Sequence, residues 1–434
     1  MARRSSISSF SAPSTAAPPV ENAEVLNRII EEDIKRESAK RREERRREVK
    51  VMLLGQAESG KSTLQKQFQI YYAKRSLDGE RPCWKPVVYF NIIKAVRLVF
   101  NELEYQFSTH GLETIEAPKA VQDQIAELRA KLLPLTSLEE SLASHLSGGV
   151  TIGSGGRAGA FVRSGWQALV GGRASSQNGV KMAEATARTV EVSNLAAKIL
   201  ANSLRDVQTL WAHPTVKLLL HTQKVRLEDS ASFFLDEITR IAEPDYVPTT
   251  DDILNVRLQT LGVMEHSFPI TMGGLSYNWK IYDVGGARGQ RQTWIPYFDD
   301  ATAIIFLAPI SAFDQYLDED PKINRIEDSL QLFTAICSNK MLKDAHLVLL
   351  LNKTDLLKKK LAAGITIRKY ITSYADRPNT YETAAAYFKS HFQQVHKKKD
   401  AWHRVLWVVS ILFFSFLFCS LRENIIIVDC FCRC

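Results

Sequence analysis

No glycine follows Met1: the chain opens "MARRSSISSF", which excludes N-myristoylation. No early cysteine offers a palmitoylation site, and no N-terminal secretory signal is present. The six cysteines are Cys83, Cys337, Cys419, Cys430, Cys432 and Cys434, and none takes the paired spacing of a zinc site. Those absences make a reducing, cytosolic setting the default expectation. Basic residues are not interleaved with aromatics, so nothing points to nucleic acid. The net charge of +8 is modest for 434 residues and owes much to one run, "KRREERRREVK". It points no further than to acidic partners such as a membrane surface or an anionic ligand. Glycine is sparse outside one patch. Ten of the 21 glycines fall between Gly148 and Gly179, which predicts a flexible insertion at about 147–180 rather than an element of the fold.

A chain of 434 residues is too long for one ordinary core, so two domains with tails are expected. Residues 1–20 are rich in Ser, Ala and Pro and predict disorder. Residues 21–48 predict one long polar helix. Leu26, Ile30 and Ile34 recur every fourth residue, with Val25 and Ile29 beside them. That stripe is too thin for a core. It fits a solvated helix supported by ion pairs, or a docking helix for a protein partner. "VKVMLLG" predicts a buried strand ending at Gly55, with a helix from Lys61 to about Ala73. From 76 to 246 helical periodicity dominates. After 250, "WKIYDVGG", "ATAIIFLAPI" and "AHLVLLLNKTD" alternate with helical stretches, the pattern of a mostly parallel sheet. One α/β domain, 49–75 with 247–400, is thus expected to carry an all-helical domain, 76–246, inserted after its first helix.

The motifs lie at the strand ends. "GQAESGKST" places Gly55, Gly60, Lys61 and Ser62 in the order G-x-x-x-x-G-K-[ST]. Gly60 lets the backbone approach phosphates, Lys61 reaches the β and γ positions, and the Ser62 hydroxyl can ligate Mg²⁺. "NKTD" supplies Asn352, Lys353 and Asp355 after an apolar strand. The Asp355 carboxylate can accept both N–H groups of guanine, a pairing adenine cannot offer. The stem of Lys353 can lie along the base. "DVGG" puts Asp283 at a strand end, where it would hold Mg²⁺ through water, and the Gly286 amide at the γ-phosphate. In "DDILNVRLQTLG", Thr260 is a candidate Mg²⁺ ligand and Arg257 a candidate cation for the transition state.

The ordered set "GQAESGKST", "RLQT", "DVGGARGQRQTW" and "NKTD" resembles the alpha subunit of heterotrimeric G proteins. Two longer pieces, "LEDSASFFLDEITRIAEPDYVPTTDDIL" and "IPYFDDATAIIFLAPISAFDQYLDED", look like the same family. The resemblance spans about 21–400 apart from the Gly-rich insertion. It implies a P-loop GTPase (Ras-like) α/β domain whose inserted helical domain closes over the nucleotide. It implies GTP/GDP and Mg²⁺ as ligands, and signalling between a GPCR-type receptor and an effector. The helix 21–48 and the switch around 284–294 are implied to dock a beta-gamma dimer. Nucleotide contacts are implied at Glu58, Ser59, Gly60, Lys61, Ser62 and Thr63, and at Asp229 and Ser230. Leu254, Asn255, Val256 and Arg257 continue the set, followed by Asp283, Val284, Gly285, Gly286 and Ala287, and then Asn352, Lys353, Thr354 and Asp355. Arg257 and Lys61 carry the catalytic charge, Ser62 and Thr260 the metal. The implied location is cytoplasmic, at the inner face of the plasma membrane.

Three departures stand out. The family writes glutamine where this chain has Ala287, and a methyl group cannot orient the attacking water. The P-loop carries Ala57 where the family has glycine. Both predict slow hydrolysis, with Arg257 left for charge stabilisation. A GTP-loaded protein that hardly hydrolyses and titrates beta-gamma or effectors is the alternative expectation. The third departure is the tail, 401–434, where the family's T-C-A-type loop and terminal helix are expected. "VLWVVSILFFSFLFCSL", 405–421, holds seventeen residues without a charge. It fits translated intron or a faulty gene model, a membrane anchor flanked by Lys397–Lys399 and Arg404, or a replacement helix. A helix of that length rises roughly 26 Å, against a bilayer core of about 30 Å. A product too unstable to act is a further reading if the terminal helix is missing.

Overall fold

The computed structural model describes residues 20–108, 118–147, 161–162, 166–167, 179–221, 229–272, 274–317, 319–400, 402 and 404–410. The stretches 1–19, most of 147–180 and 411–434 lie outside them, so the expected disorder of 1–20 falls outside the described residues. The chain divides into two compact units, 1–48 and 49–434.

The first unit is helix α1, Val20–Arg46. Its described side chains face solvent, including Ile29, Ile30 and Ile34. Ion pairs one turn apart support it: Asp33 with Arg36, Glu37 with Arg41, and Glu43 with Arg47. The helix stops two residues short of the expected 48, because Glu48 already begins a strand.

The second unit is built on strands β1 (Glu48–Leu54), β4 (Val263–Met272), β5 (Leu275–Val284), β6 (Ala303–Pro309), β7 (His346–Asn352) and β8 (Leu406–Ser410). Two short strands, β2 (Phe161–Val162) and β3 (Gln259–Thr260), pair separately. The main sheet runs β4-β5-β1-β6-β7-β8. Strands β4 and β5 are antiparallel, and β1, β6, β7 and β8 pair in parallel. Its central strands are apolar throughout because both faces are covered. Along β1, Val51 and Leu53 join one cluster with Leu64 and Phe68, while Met52 and Leu54 join another with Phe333 and Phe392. The first face lies under α2 (Lys61–Tyr72), the second under α12 (Arg325–Cys337) and α14 (Tyr381–Lys399).

Between α2 and β3 the described residues are almost wholly helical. They form α3 (Lys74–Phe107), α4 (Lys119–Thr136), α5 (Leu138–Leu146), α6 (Gly179–Asn202), α7 (Leu204–Ala212), α8 (Pro214–His221), α9 (Asp229–Asp236), α10 (Ile238–Ile241) and α11 (Thr250–Asn255). They share one apolar core from Leu77 to Ala242, which continues into Tyr246, Ile253, Val256 and Met264. The helical part therefore packs onto the strands that frame the site. Helix α13 (Thr354–Ala362) follows β7.

Two expectations need correction. The Gly-rich insertion is not wholly outside the fold. Phe161–Val162 pairs in parallel with Gln259–Thr260, and Leu261 N–H donates to the Val162 carbonyl at 2.9 Å. Trp166 is buried and packs edge-on to Trp84 with ring centroids 4.9 Å apart. Apolar residues spaced among glycines gave no periodicity from which to read this. The second correction concerns the tail. Residues 406–410, expected inside one continuous apolar span, form the sheet's edge strand, pairing from Leu347↔Leu406 to Leu351↔Ser410. Arg404, expected to flank a membrane segment, is buried. It donates to Asp400 Oδ1 at 3.0 Å and to the carbonyls of Leu342 and Cys337 at 2.8 and 3.0 Å. No described helix is long and apolar enough to cross a membrane. With β8 taken by the sheet, the charge-free run left after it shortens to the eleven residues 411–421, which lie outside the described residues.

Candidate functional site: a phosphate loop with a three-oxygen cluster

Strand β1 delivers the chain to a loop that only particular residues can make. At Gly55 φ is 142°, and the Leu307 carbonyl oxygen lies 2.5 Å from where a Cβ would sit. Glu58 takes a left-handed φ of 57°, an uncommon conformation for a non-glycine residue. Gly60, at φ 101°, caps α2. The N-terminus of that helix thus opens onto the loop with its amides free of intrahelical partners. Lys61 is buried, and its Nζ donates to the carbonyls of Gly55 and Gln56 at 3.0 and 2.7 Å. Burial lowers its pKa to about 8, although Asp283 opposes this. Ser59 is buried beside it, while Thr63 is half-buried on the first turn.

Three oxygens converge next to this lysine. Asp283 Oδ2, at the end of β5, accepts from Ser62 Oγ at 2.5 Å and from Thr260 Oγ1 at 3.0 Å. The two hydroxyls are 3.1 Å apart. Asp283 is 2% exposed, and its Oδ1 is buried without a hydrogen-bond partner. One carboxylate and two hydroxyls, all hard oxygen donors with one oxygen uncommitted, fit Mg²⁺. That cation typically takes few protein ligands and completes its shell with water and phosphate oxygens.

The residues expected to read the base join from β7. Asn352 Nδ2 donates to the Ser59 carbonyl at 2.7 Å and so ties this loop to the phosphate loop. Lys353 is left-handed, with φ 59°, and caps α13. Thr354 is buried behind it, and Asp355 stands half-exposed in the first turn. Val284 is buried at the end of β5. Gly285 and Gly286 pass close to the phosphate loop, and a Cβ on Gly286 would meet Ala57 N at 2.4 Å. Ala287 is half-buried at the start of a 3₁₀ segment, Arg288–Tyr297.

Residues 254–257 arrive through α11. Leu254 and Asn255 are half-exposed, and Val256 is buried. Asp252 anchors the helix by accepting from both terminal nitrogens of Arg240, at 3.0 and 2.8 Å, and from Tyr246 Oη at 2.9 Å. Ser230 is buried at the start of α9. No hydrogen bond among the described residues ties it to the phosphate loop. The Asp229 side chain lies outside the described residues.

Several organising residues carry no motif. Asn91 on α3 holds the Arg257 backbone from both sides, accepting from its N–H at 2.9 Å and donating to its carbonyl at 3.2 Å. Lys66 is buried on α2 and donates to the carbonyls of Ile253 and Val256 at 2.8 and 3.2 Å. Burial, helped by the charge of Arg257, lowers its pKa to about 7. Arg325 on α12 braces the phosphate loop, reaching Gln56 Oε1 at 3.2 Å, Glu58 Oε2 at 2.9 Å and the Ala57 carbonyl. Burial would raise the Glu58 pKa, but Arg325, with Lys353 and Arg257 behind it, holds it down to about 2. Arg288 and Arg291 both bind the buried Asp328, at 3.0 Å and 2.5 Å, and pin the 3₁₀ segment to α12. Asn91 apart, their trace in the sequence is charge, with Lys66 and Asp328 buried on helices.

A family model described as the G-protein alpha subunit matches residues 25–422. The match runs past Asp400, through β8 and into the stretch expected to be unrelated to the family.

Proposed function

The chain belongs to the G-protein alpha-subunit family, and from that premise we propose that it is a GTP/GDP switch with slowed turnover. Guanine-nucleotide binding and a signalling role follow from the family, whose members are in general GTPases that act with Mg²⁺, beta-gamma dimers, receptors and effectors. The observation that carries the proposal is the Ser62–Thr260–Asp283 cluster beside Lys61. It joins the phosphate loop, the 257–260 segment and the DxxG strand end through one set of oxygens. Loss or gain of a ligand there therefore reaches all three.

Within this reading, Lys61 and the amides after Gly60 hold the phosphates, and Asp355 reads guanine. Arg257, positioned by Asn91, faces the charge that develops on the transferred phosphoryl group. Ser62 and Thr260 bind the metal, with Asp283 behind them. Bound Mg²⁺ supplies charge neutralisation at the phosphates. Ala287 has no group to hold the attacking water, which supports slow hydrolysis. The exposed Ile29, Ile30 and Ile34 of α1 and the 284–294 segment support docking of a beta-gamma dimer, at the inner face of the plasma membrane. Single-turnover GTP hydrolysis tests the proposal. The wild type should be at least tenfold slower than an Ala287→Gln variant; equal rates would sink the claim of slowed turnover.

A second reading, a GTP-loaded protein that titrates beta-gamma or effectors, draws on the same Ala287 and on the 3₁₀ segment locked to Asp328. Loss of beta-gamma binding when GTP replaces GDP favours the switch. Equal binding in both states favours titration.

A further inference from the structure

We infer that Gln290 performs the water-positioning task that Ala287 cannot. Gln290 sits one turn into the 3₁₀ segment, its N–H donating to the Ala287 carbonyl at 3.0 Å. Its neighbours Arg288 and Arg291 are both fixed on Asp328, so the backbone that carries Gln290 is held from both sides. The side chain does not point to solvent. It turns back onto Gly285, where its Oε1 lies 1.6 Å and its Cδ 2.8 Å from the position a Cβ would take. The amide thus fills space that only a glycine at 285 leaves open. Gly285 is itself fixed, its N–H donating to the Gly262 carbonyl at 2.9 Å and its carbonyl accepting from Trp294 Nε1 at 3.0 Å.

The Gln290 Oε1 is buried and has no hydrogen-bond partner. Buried acceptors are ordinarily satisfied, and an orphan calls for a reason such as a catalytic role. The Thr260 carbonyl oxygen lies 2.7 Å from the same Cβ position. The two acceptors are therefore no farther apart than those two distances combined. With the amide placed this way the two oxygens cannot bond each other, and a molecule with two O–H donors suits both. Thr260 is also the residue whose hydroxyl joins the three-oxygen cluster, and Gly286 is the next residue along the chain from Gly285. A water held through both hydrogens keeps a lone pair for the γ-phosphorus. Its O–P bond forms as the bridging P–O bond to GDP breaks, and its proton leaves with inorganic phosphate. Gln290 is in this account a positioning residue for the water, and the chain's remaining hydrolysis runs through it.

The inference rests on the guanine-nucleotide reading above, and the test separates the two. Full-length wild type, Gln290→Leu and Gln290→Ala are compared in three measurements. These are GDP affinity, the concentration of tetrafluoroaluminate with Mg²⁺ that half-saturates the change in intrinsic tryptophan fluorescence, and single-turnover hydrolysis. Tetrafluoroaluminate on bound GDP mimics the transferred phosphoryl group together with its attacking water. Both variants should keep GDP affinity within about twofold, raise the half-saturating fluoride complex at least tenfold, and slow hydrolysis at least tenfold. Gln290→Leu should not lower Tm, since it removes an unpaired buried acceptor. Adding Ala287→Gln to Gln290→Leu should restore both losses. Unchanged fluoride-complex affinity and unchanged hydrolysis in both variants would overturn the inference while GDP binding stands. Failure of the wild type to bind GDP would overturn the nucleotide reading, and this inference with it.

Discussion

Asp283 binds two hydroxyls through Oδ2 and leaves Oδ1 buried without a partner, so in the proposed reading its removal separates metal from nucleotide. Asp283→Asn should weaken Mg²⁺-dependent GTP binding about 10–100-fold, the range for groups that orient metal ligands. GDP binding without metal should change little; a Mg²⁺ titration of nucleotide release checks this. Asp355 faces the base in the proposed reading. Asp355→Asn should cost on the order of 10⁴-fold in guanine affinity and favour xanthine, whose 2-oxo group accepts from the new amide. Competition between GDP and xanthosine diphosphate reads the change. Lys66 gives a pH signature. Its pKa falls from an ordinary 10.5 to about 7, so between those values the unfolded chain binds more protons than the folded one. Stability contributed by this group therefore rises with pH from about 7 towards 10. Lys66→Met should flatten that slope in thermal unfolding between pH 7 and 9. The residues proposed for phosphate, metal and base were legible as candidates in the sequence because each sits at fixed spacing near a strand end. Asn91, Lys66 and Asp328 were not, because their partners are backbone carbonyls or arginines distant in sequence.

At the scale of elements, the edge strand and the insertion decide how complete the domain is. Strand β8 brings Leu406 and Val408 against one face of the sheet and Val409 against the other. Arg404 ties its entry to α12. Truncation after Asp400, which removes β8, should lower Tm by at least about 5 °C by differential scanning calorimetry. Trp166 anchors the described part of the insertion against Trp84, and Trp166→Ala should cost about 3–5 kcal/mol by denaturant unfolding. Both elements escaped the sequence reading for the same physical reason. Apolarity in 405–421 is uniform, so a buried strand and a membrane-length run look alike until the length used by the sheet is known. In 147–180 the glycines hide two anchoring residues, Val162 and Trp166, that have no periodic neighbours.

Across the whole molecule, the alternation of strand and helix after 250 and the helical run before it made the architecture readable. The interruption between α2 and β3 is where the helical core meets the sheet. That meeting explains why Ile253, Val256 and Met264 belong to the helical cluster although they lead into the strands. The phosphate loop, the 254–260 segment and the DxxG strand end are therefore mechanically joined, and a ligand that binds among them must stabilise the folded unit as a whole. Thermal unfolding of the full chain with guanine and adenine nucleotides, with and without Mg²⁺, tests this most directly. The account predicts a rise in Tm with GDP or GTP that is larger with Mg²⁺ for GTP, absent with ADP or ATP, and lost for guanine nucleotides in Asp355→Asn. An unchanged Tm with guanine nucleotides, or an equal rise with adenine nucleotides, would contradict it.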